Sequence, residues 1–77
     1  MLFVLFCELM RVLVNGDQKE FGVGISLAEL IAQLDLPALR IAIELNREVV
    51  RRSDWHSTML KDDDRIEIVH FVGGGKN

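Results

Sequence analysis

With a single cysteine, Cys7, the chain can form no internal disulfide, and no Cys/His cluster in it has the spacing of a zinc site. At 77 residues it is short enough that a disulfide, a metal or a partner would normally help to hold it folded, and neither covalent nor metal staple can be read. A reducing cytoplasm is therefore the expected setting. His56 and His70 are isolated and read as a surface side chain and a strand-face side chain. No P-loop and no nucleophile–base pair stands out, so the sequence offers no catalytic constellation of its own. Basic excess is missing too. A formal net charge of −3 argues against nucleic acid, which recruits proteins through clustered Lys and Arg. Arg47, Arg51 and Arg52 make a small basic patch that reads as a solvated loop, with a grip on an acidic partner as the functional alternative.

A membrane-length apolar run is also absent. Met1 to Met10 is unusually apolar, yet spanning a bilayer takes about 20 such residues. No basic residues precede this run and no small-residue cleavage site closes it, which speaks against a secretory signal. No membrane partner is expected. Residues 1–9 then have three readings: an over-long first strand, an apolar surface that meets a partner, or a start assigned too early, with Met10 as the initiator. The last is preferred because the regular pattern begins at Met10.

What is present is one small domain's worth of core: 49% hydrophobic and 27% charged residues exclude both disorder and collagen-like repeats. Arg11-Val12-Leu13-Val14 and Lys19-Glu20-Phe21-Gly22-Val23 flank Asn15-Gly16 and spell a β-hairpin, because both central residues of a type I′ turn need positive φ. Ser26-Leu27-Ala28-Glu29 is a capping box that opens a helix. Leu27, Leu30, Ile31 and Leu34 follow at the spacing of one buried face, and Pro37, the only proline, is expected to end the helix after about three turns. Ile41, Ile43 and Leu45 alternate as a strand, Asn46-Arg47 turns into Glu48-Val49-Val50, and a loop carries Ser53, Trp55 and Ser57. Lys61 and Asp62 to Asp64 read as a solvated turn, since three consecutive carboxylates do not converge on a metal and no EF-hand spacing follows. The last strand covers Arg65 to Val72.

The order strand, strand, helix, strand, short strand, strand predicts an α+β fold, a mixed sheet of four to five strands packed on one main helix. The first and last strands are expected side by side and parallel at its centre. That placement accounts for the few polar positions among Val12, Leu13 and Val14 and among Ile66, Ile68 and Val69. The final strand runs directly into Gly73-Gly74-Gly75-Lys76-Asn77. Without Cβ atoms, Gly73 and Gly74 form a segment that can thread a channel too narrow for side chains. A disordered chain end is the plain alternative.

At this point the chain resembles the ThiS sulfur carriers of thiamine biosynthesis, which have the ubiquitin-like β-grasp fold. The resemblance runs from Met10 to Gly75, giving a β-grasp carrier domain over 10–75. It rests on Met10-Arg11-Val12-Leu13-Val14-Asn15-Gly16, Ser26-Leu27-Ala28-Glu29-Leu30, Ile41-Ala42-Ile43-Glu44-Leu45-Asn46, Val49-Val50 and Arg52-Ser53-Asp54-Trp55. Most specific is the stretch Asp64-Arg65-Ile66-Glu67-Ile68-Val69-His70-Phe71-Val72-Gly73-Gly74-Gly75.

The resemblance implies a carrier acted on by partner enzymes rather than an enzyme. A ThiF-like adenylyltransferase would use ATP on the carboxylate of Gly75, a cysteine desulfurase would supply sulfur, and the resulting thiocarboxylate would serve the thiazole synthase ThiG. No bound cofactor is implied, since the sulfur is carried covalently. Gly73 and Gly74 would be the threading tail; independently of the resemblance, Phe71 and Val72, apolar residues beside that tail, are candidate contacts for the partners. Three departures stand out. Lys76 and Asn77 follow the expected Gly-Gly end, so Gly75 has no free carboxylate until they are removed; Arg51 and Asp63 stand where the family often has proline and glycine; and residues 1–9 precede its usual start. The alternatives are a carrier like the molybdopterin synthase small subunit, a protein modifier, and a β-grasp interaction module without tail chemistry.

Overall fold

The computed structural model describes residues 8–71. Two hairpins and one helix build it. Strands β1 (Leu9–Val14) and β2 (Asp17–Gly22) pair antiparallel around the two-residue turn Asn15-Gly16. Both turn residues have positive φ, 51° and 87°, as the I′ hairpin expects. The second strand stops one residue earlier than its alternation predicts. Gly24 at φ 83° takes the chain away, leaving Val23 half exposed while Phe21 is buried.

Helix α1 (Leu27–Gln33) starts on the capping box: the Ser26 hydroxyl accepts from the Glu29 N–H at 3.1 Å and the Glu29 carboxylate accepts from the Ser26 N–H at 2.8 Å. It is shorter than the three turns expected. Asp35 adopts φ 57°, its N–H reaches the Ala32 carbonyl and the Leu36 N–H reaches that of Ile31. This is a Schellman ending, with aspartate in place of the usual glycine, and it stops the helix before Pro37 acts. A short 3-10 segment, Ala38–Arg40, then leads into β3 (Ile41–Leu45). The second hairpin turns on Asn46 and Arg47, at φ 52° and 74°, into β4 (Glu48–Val50). The Trp55 loop contains a second 3-10 segment, Arg52–Ser57, and β5 (Asp64–His70) closes the sheet.

The strand order is β2-β1-β5-β3-β4, with β5 parallel to β1 and antiparallel to β3. The expected central parallel pair is therefore present, in a five-stranded mixed sheet of the ubiquitin-like β-grasp type. Register sorts the side chains. Met10, Val12 and Val14, Ile66 and Ile68, and Ile41 and Ile43 turn to the helix side and are buried with Leu27, Leu30 and Ile31. Burying each such side chain contributes about 1.5–3 kcal/mol. The other face is not covered by any described element, and here the expectation for Val69 is corrected: it points outward and is 55% exposed, so β5 alternates buried with exposed. The segment after the Trp55 loop ties the helix start down, with the Leu27 N–H on the Thr58 carbonyl and the Leu60 N–H on that of Ile25. No helix among the described residues is long and apolar enough to cross a membrane.

Candidate functional site

The candidate site is the end of β5 and the sheet face beside it. Val72, Gly73, Gly74 and Gly75 lie outside the described residues, as do Lys76 and Asn77. Phe71 is the last described residue. Its N–H donates to the Arg40 carbonyl at 2.7 Å, extending the β3–β5 pairing by one step, and its side chain is 52% exposed.

Next to it on the open face sits Val69, opposite Ala42 on β3. Val49 on β4 and Leu39 just before β3 are more exposed still, at 73% and 74%. Phe71, Val69, Val49 and Leu39 are thus exposed apolar side chains on or beside β5, β4 and β3. One pair on this face is unfavourable. Glu44 and Glu67 stand directly opposite each other on β3 and β5, where like charges repel, whereas Arg11 faces Glu20 across β1 and β2.

On the helix side, a concavity of about 240 Å³ opens between the end of α1 and the first hairpin, with Val14, Leu34, Leu36 and Ile68 as apolar lining and Lys19 and His70 among the polar lining residues. His56 and His70 are both exposed and far apart in the chain's elements. Arg47 lies in the β3–β4 turn, at the opposite end of β4 from Arg51 and Arg52; it lines a notch with Arg65 and Asp63 instead.

The acidic turn is not uniformly solvated. The Asp62 carboxylate accepts from the Arg11 N–H at 2.7 Å. Asp64 is 5% exposed and accepts from the Lys61 N–H at 2.8 Å and the Asn46 Nδ2 at 3.0 Å. These carboxylates secure the turn into β5. Among the described residues no group of three or more His, Cys, Asp or Glu is arranged to hold a metal. Trp55, which the sequence leaves between core and contact, is core: it is 4% exposed and its indole N–H donates to the Val50 carbonyl at 2.9 Å.

Two residues that hold β5 by their side chains escape a sequence reading. Asn15 and Asn46 are legible as turn residues, but their side chains also bind β5. Asn15 pairs with both backbone groups of Ile68, and Asn46 with the Arg65 N–H and the Asp64 carboxylate.

A model of the ThiS family matches residues 12–75. A protein of Bacillus subtilis named sulfur carrier protein ThiS is 40% identical over 50 residues, 65% of this chain and 76% of that one. A thiazole synthase of Paramagnetospirillum magneticum is 31% identical over 68 residues; the match takes in 88% of this chain, which spans only 21% of that protein's length. The crystal structure of the thiamine biosynthesis protein ThiS from Geobacter metallireducens superimposes with a TM-score of 0.69 at 35% identity, over 86% of this chain and all of that one. Sheet, helix and matched sequence coincide along nearly the whole length, and the chain belongs to the ThiS family.

Proposed function

We propose that this protein is a sulfur carrier of thiamine biosynthesis, loaded at Gly75 and unloaded by a thiazole synthase. One observation carries the reading: in a ThiS-family fold, the central strand leads within three residues of His70 into a glycine run. The relatives support it. One is named a sulfur carrier, and in another a sequence like this one makes up about a fifth of a protein named thiazole synthase. Two units that occur in one polypeptide elsewhere make a natural pair as separate chains, which favours the thiamine branch over the molybdopterin one.

The chemistry follows from a carboxylate's reluctance to react. As an anion it is a poor electrophile, so a ThiF-like adenylyltransferase would join the Gly75 carboxylate to the α-phosphate of ATP and expel pyrophosphate. A persulfide made by a cysteine desulfurase would then attack the acyl carbon, and AMP would leave with the original oxygen. A second thiol would cleave the S–S bond inherited from the persulfide, releasing the thiocarboxylate and leaving a disulfide behind. The thiocarboxylate sulfur is a soft nucleophile suited to transfer. In this scheme the protein provides the reacting terminus, the reach and the docking face, while ATP and the catalytic groups belong to its partners. It is a carrier and not an enzyme, and works in the cytoplasm. Loading at Gly75 first requires hydrolysis of the Gly75–Lys76 bond.

Two variants divide the site into its parts. Gly75→Val should fold normally yet accumulate no thiocarboxylate, because a branched side chain beside the reacting carbon blocks the channel. Phe71→Ala should keep the tail chemistry but raise the KM for the adenylating partner about tenfold, as loss of an interface aromatic does. Normal sulfur loading of Gly75→Val would remove the threading argument, and an unchanged KM for Phe71→Ala would remove the docking face.

A further inference from the structure

The ladder between β1 and β5 ends at Val14 opposite Ile66, because β1 turns away into β2, yet β5 continues to His70. Backbone groups along a strand alternate sides. On the β3 side, the Asn46 N–H donates to the Arg65 carbonyl at 2.7 Å and the Phe71 N–H to that of Arg40 at 2.7 Å. On the β1 side, the Asn15 N–H donates to the Ile66 carbonyl at 2.9 Å. Ile68 therefore presents its N–H and C=O where β1 has already left. The Asn15 side chain takes that place: its Oδ1 accepts from the Ile68 N–H at 2.6 Å and its Nδ2 donates to the Ile68 carbonyl at 3.2 Å. A primary amide has the same donor and acceptor as a peptide group, so Asn15 adds one rung to the ladder beyond the turn.

Asn46 does a matching job at the other end of the strand. It holds the same first position of a positive-φ turn, at 52° against 51° for Asn15, and its Oδ1 accepts from the Arg65 N–H at 2.9 Å. The two asparagines flank β5 from opposite sides, but Asn46 grips where the strand begins and Asn15 grips just before the chain passes to the glycine run.

We propose that Asn15 is a positioning residue for activation at Gly75: by holding Ile68 on the β1 side while the Arg40 carbonyl, just before β3, holds Phe71 on the other, it fixes the end of β5 from which the chain continues to the glycine run. The inference rests on the carrier reading. It assigns Asn15 a part distinct from docking. The sheet face sets how tightly a partner binds, and the clamp sets how steadily the end of β5 is held once the partner is bound.

The test compares Asn15→Gly with Asn46→Gly. Glycine keeps each positive-φ turn and deletes only the side-chain amide. The full-length gene is expressed in its own host, so that native trimming occurs, and each carrier is assayed for ATP–pyrophosphate exchange with its cognate activating enzyme. Both variants should lower the unfolding midpoint by similar amounts. Only Asn15→Gly should speed amide exchange at Ile68 and lower kcat, by about tenfold at unchanged KM, as loss of alignment does. Asn15→Asp, which keeps the turn but sets an oxygen against the Ile68 carbonyl, should lose kcat in the same way. Wild-type kcat in Asn15→Gly, or an equal loss in Asn46→Gly, would overturn the assignment and leave the carrier reading intact. No exchange with the wild-type protein would overturn both.

Discussion

Asp63 and Arg51 are the two loop positions where the resemblance implies glycine and proline, and each keeps the backbone such a counterpart would want. Asp63 has φ 70°, held there by its N–H on the Arg11 carbonyl, and Arg51 has φ −64° with ψ 145°. A left-handed conformation costs a residue with a Cβ about 1–2 kcal/mol, somewhat less for aspartate. Asp63→Gly should therefore stabilise the protein by about 0.5–1 kcal/mol after glycine's greater freedom in the unfolded chain is subtracted. The exposed Arg11–Asp63 pair, 3.7 Å apart, is worth little at that exposure and subtracts at most part of the gain at its upper end. Arg51→Pro should add about 0.4–1 kcal/mol, because proline's fixed φ is already occupied. Urea titrations check both: the midpoint should rise with an unchanged slope, and a fall in either variant would mean the loop depends on the present side chain. At this scale the sequence is only half legible. Asn15 can be read as a turn residue from its neighbour Gly16, but its bond to Ile68 spans 53 positions and no local pattern encodes it. Trp55 likewise is core by its 4% exposure, with the Val50 carbonyl satisfying its indole N–H, and no local pattern encodes either.

Among the elements, the helix shows most clearly what pattern can and cannot reveal. Its start is written locally, in Ser26 and Glu29, and its buried face in Leu27, Leu30 and Ile31. Its end is not. Proline at position 37 is a visible stop, whereas Asp35 at φ 57° is a stop that aspartate rarely signals. The same holds for β2, whose alternation runs on through Val23 although Gly24 bends the chain away. Because Ser26 is 5% exposed and its hydroxyl satisfies an otherwise orphaned helix N–H, Ser26→Ala should cost about 1–2 kcal/mol. Thermal unfolding checks this, and a shift of under 1 °C would show that the Leu27–Thr58 and Leu60–Ile25 bonds alone hold the helix start.

For the whole molecule, the arrangement that matters is the central place of β5. Lying between β1 and β3, it is anchored on both edges, and it is also the strand that leads to the glycine run. The parallel pairing of first and last strands was legible because Val12, Val14, Ile66 and Ile68 share an apolar character that an edge strand would not need. The open outer face was not legible, since an apolar Val69 reads as core until register assigns it to solvent. On the proposed reading, that face and the anchored strand form the body, and the glycine run that follows in sequence is what its partners act on. The most direct test of this account is the intact mass of the protein recovered from its own cells under conditions that preserve thioacids. The account predicts a chain ending at Gly75 with one carboxylate oxygen replaced by sulfur. A chain found only with Lys76 and Asn77 still attached, and without added sulfur, would contradict it.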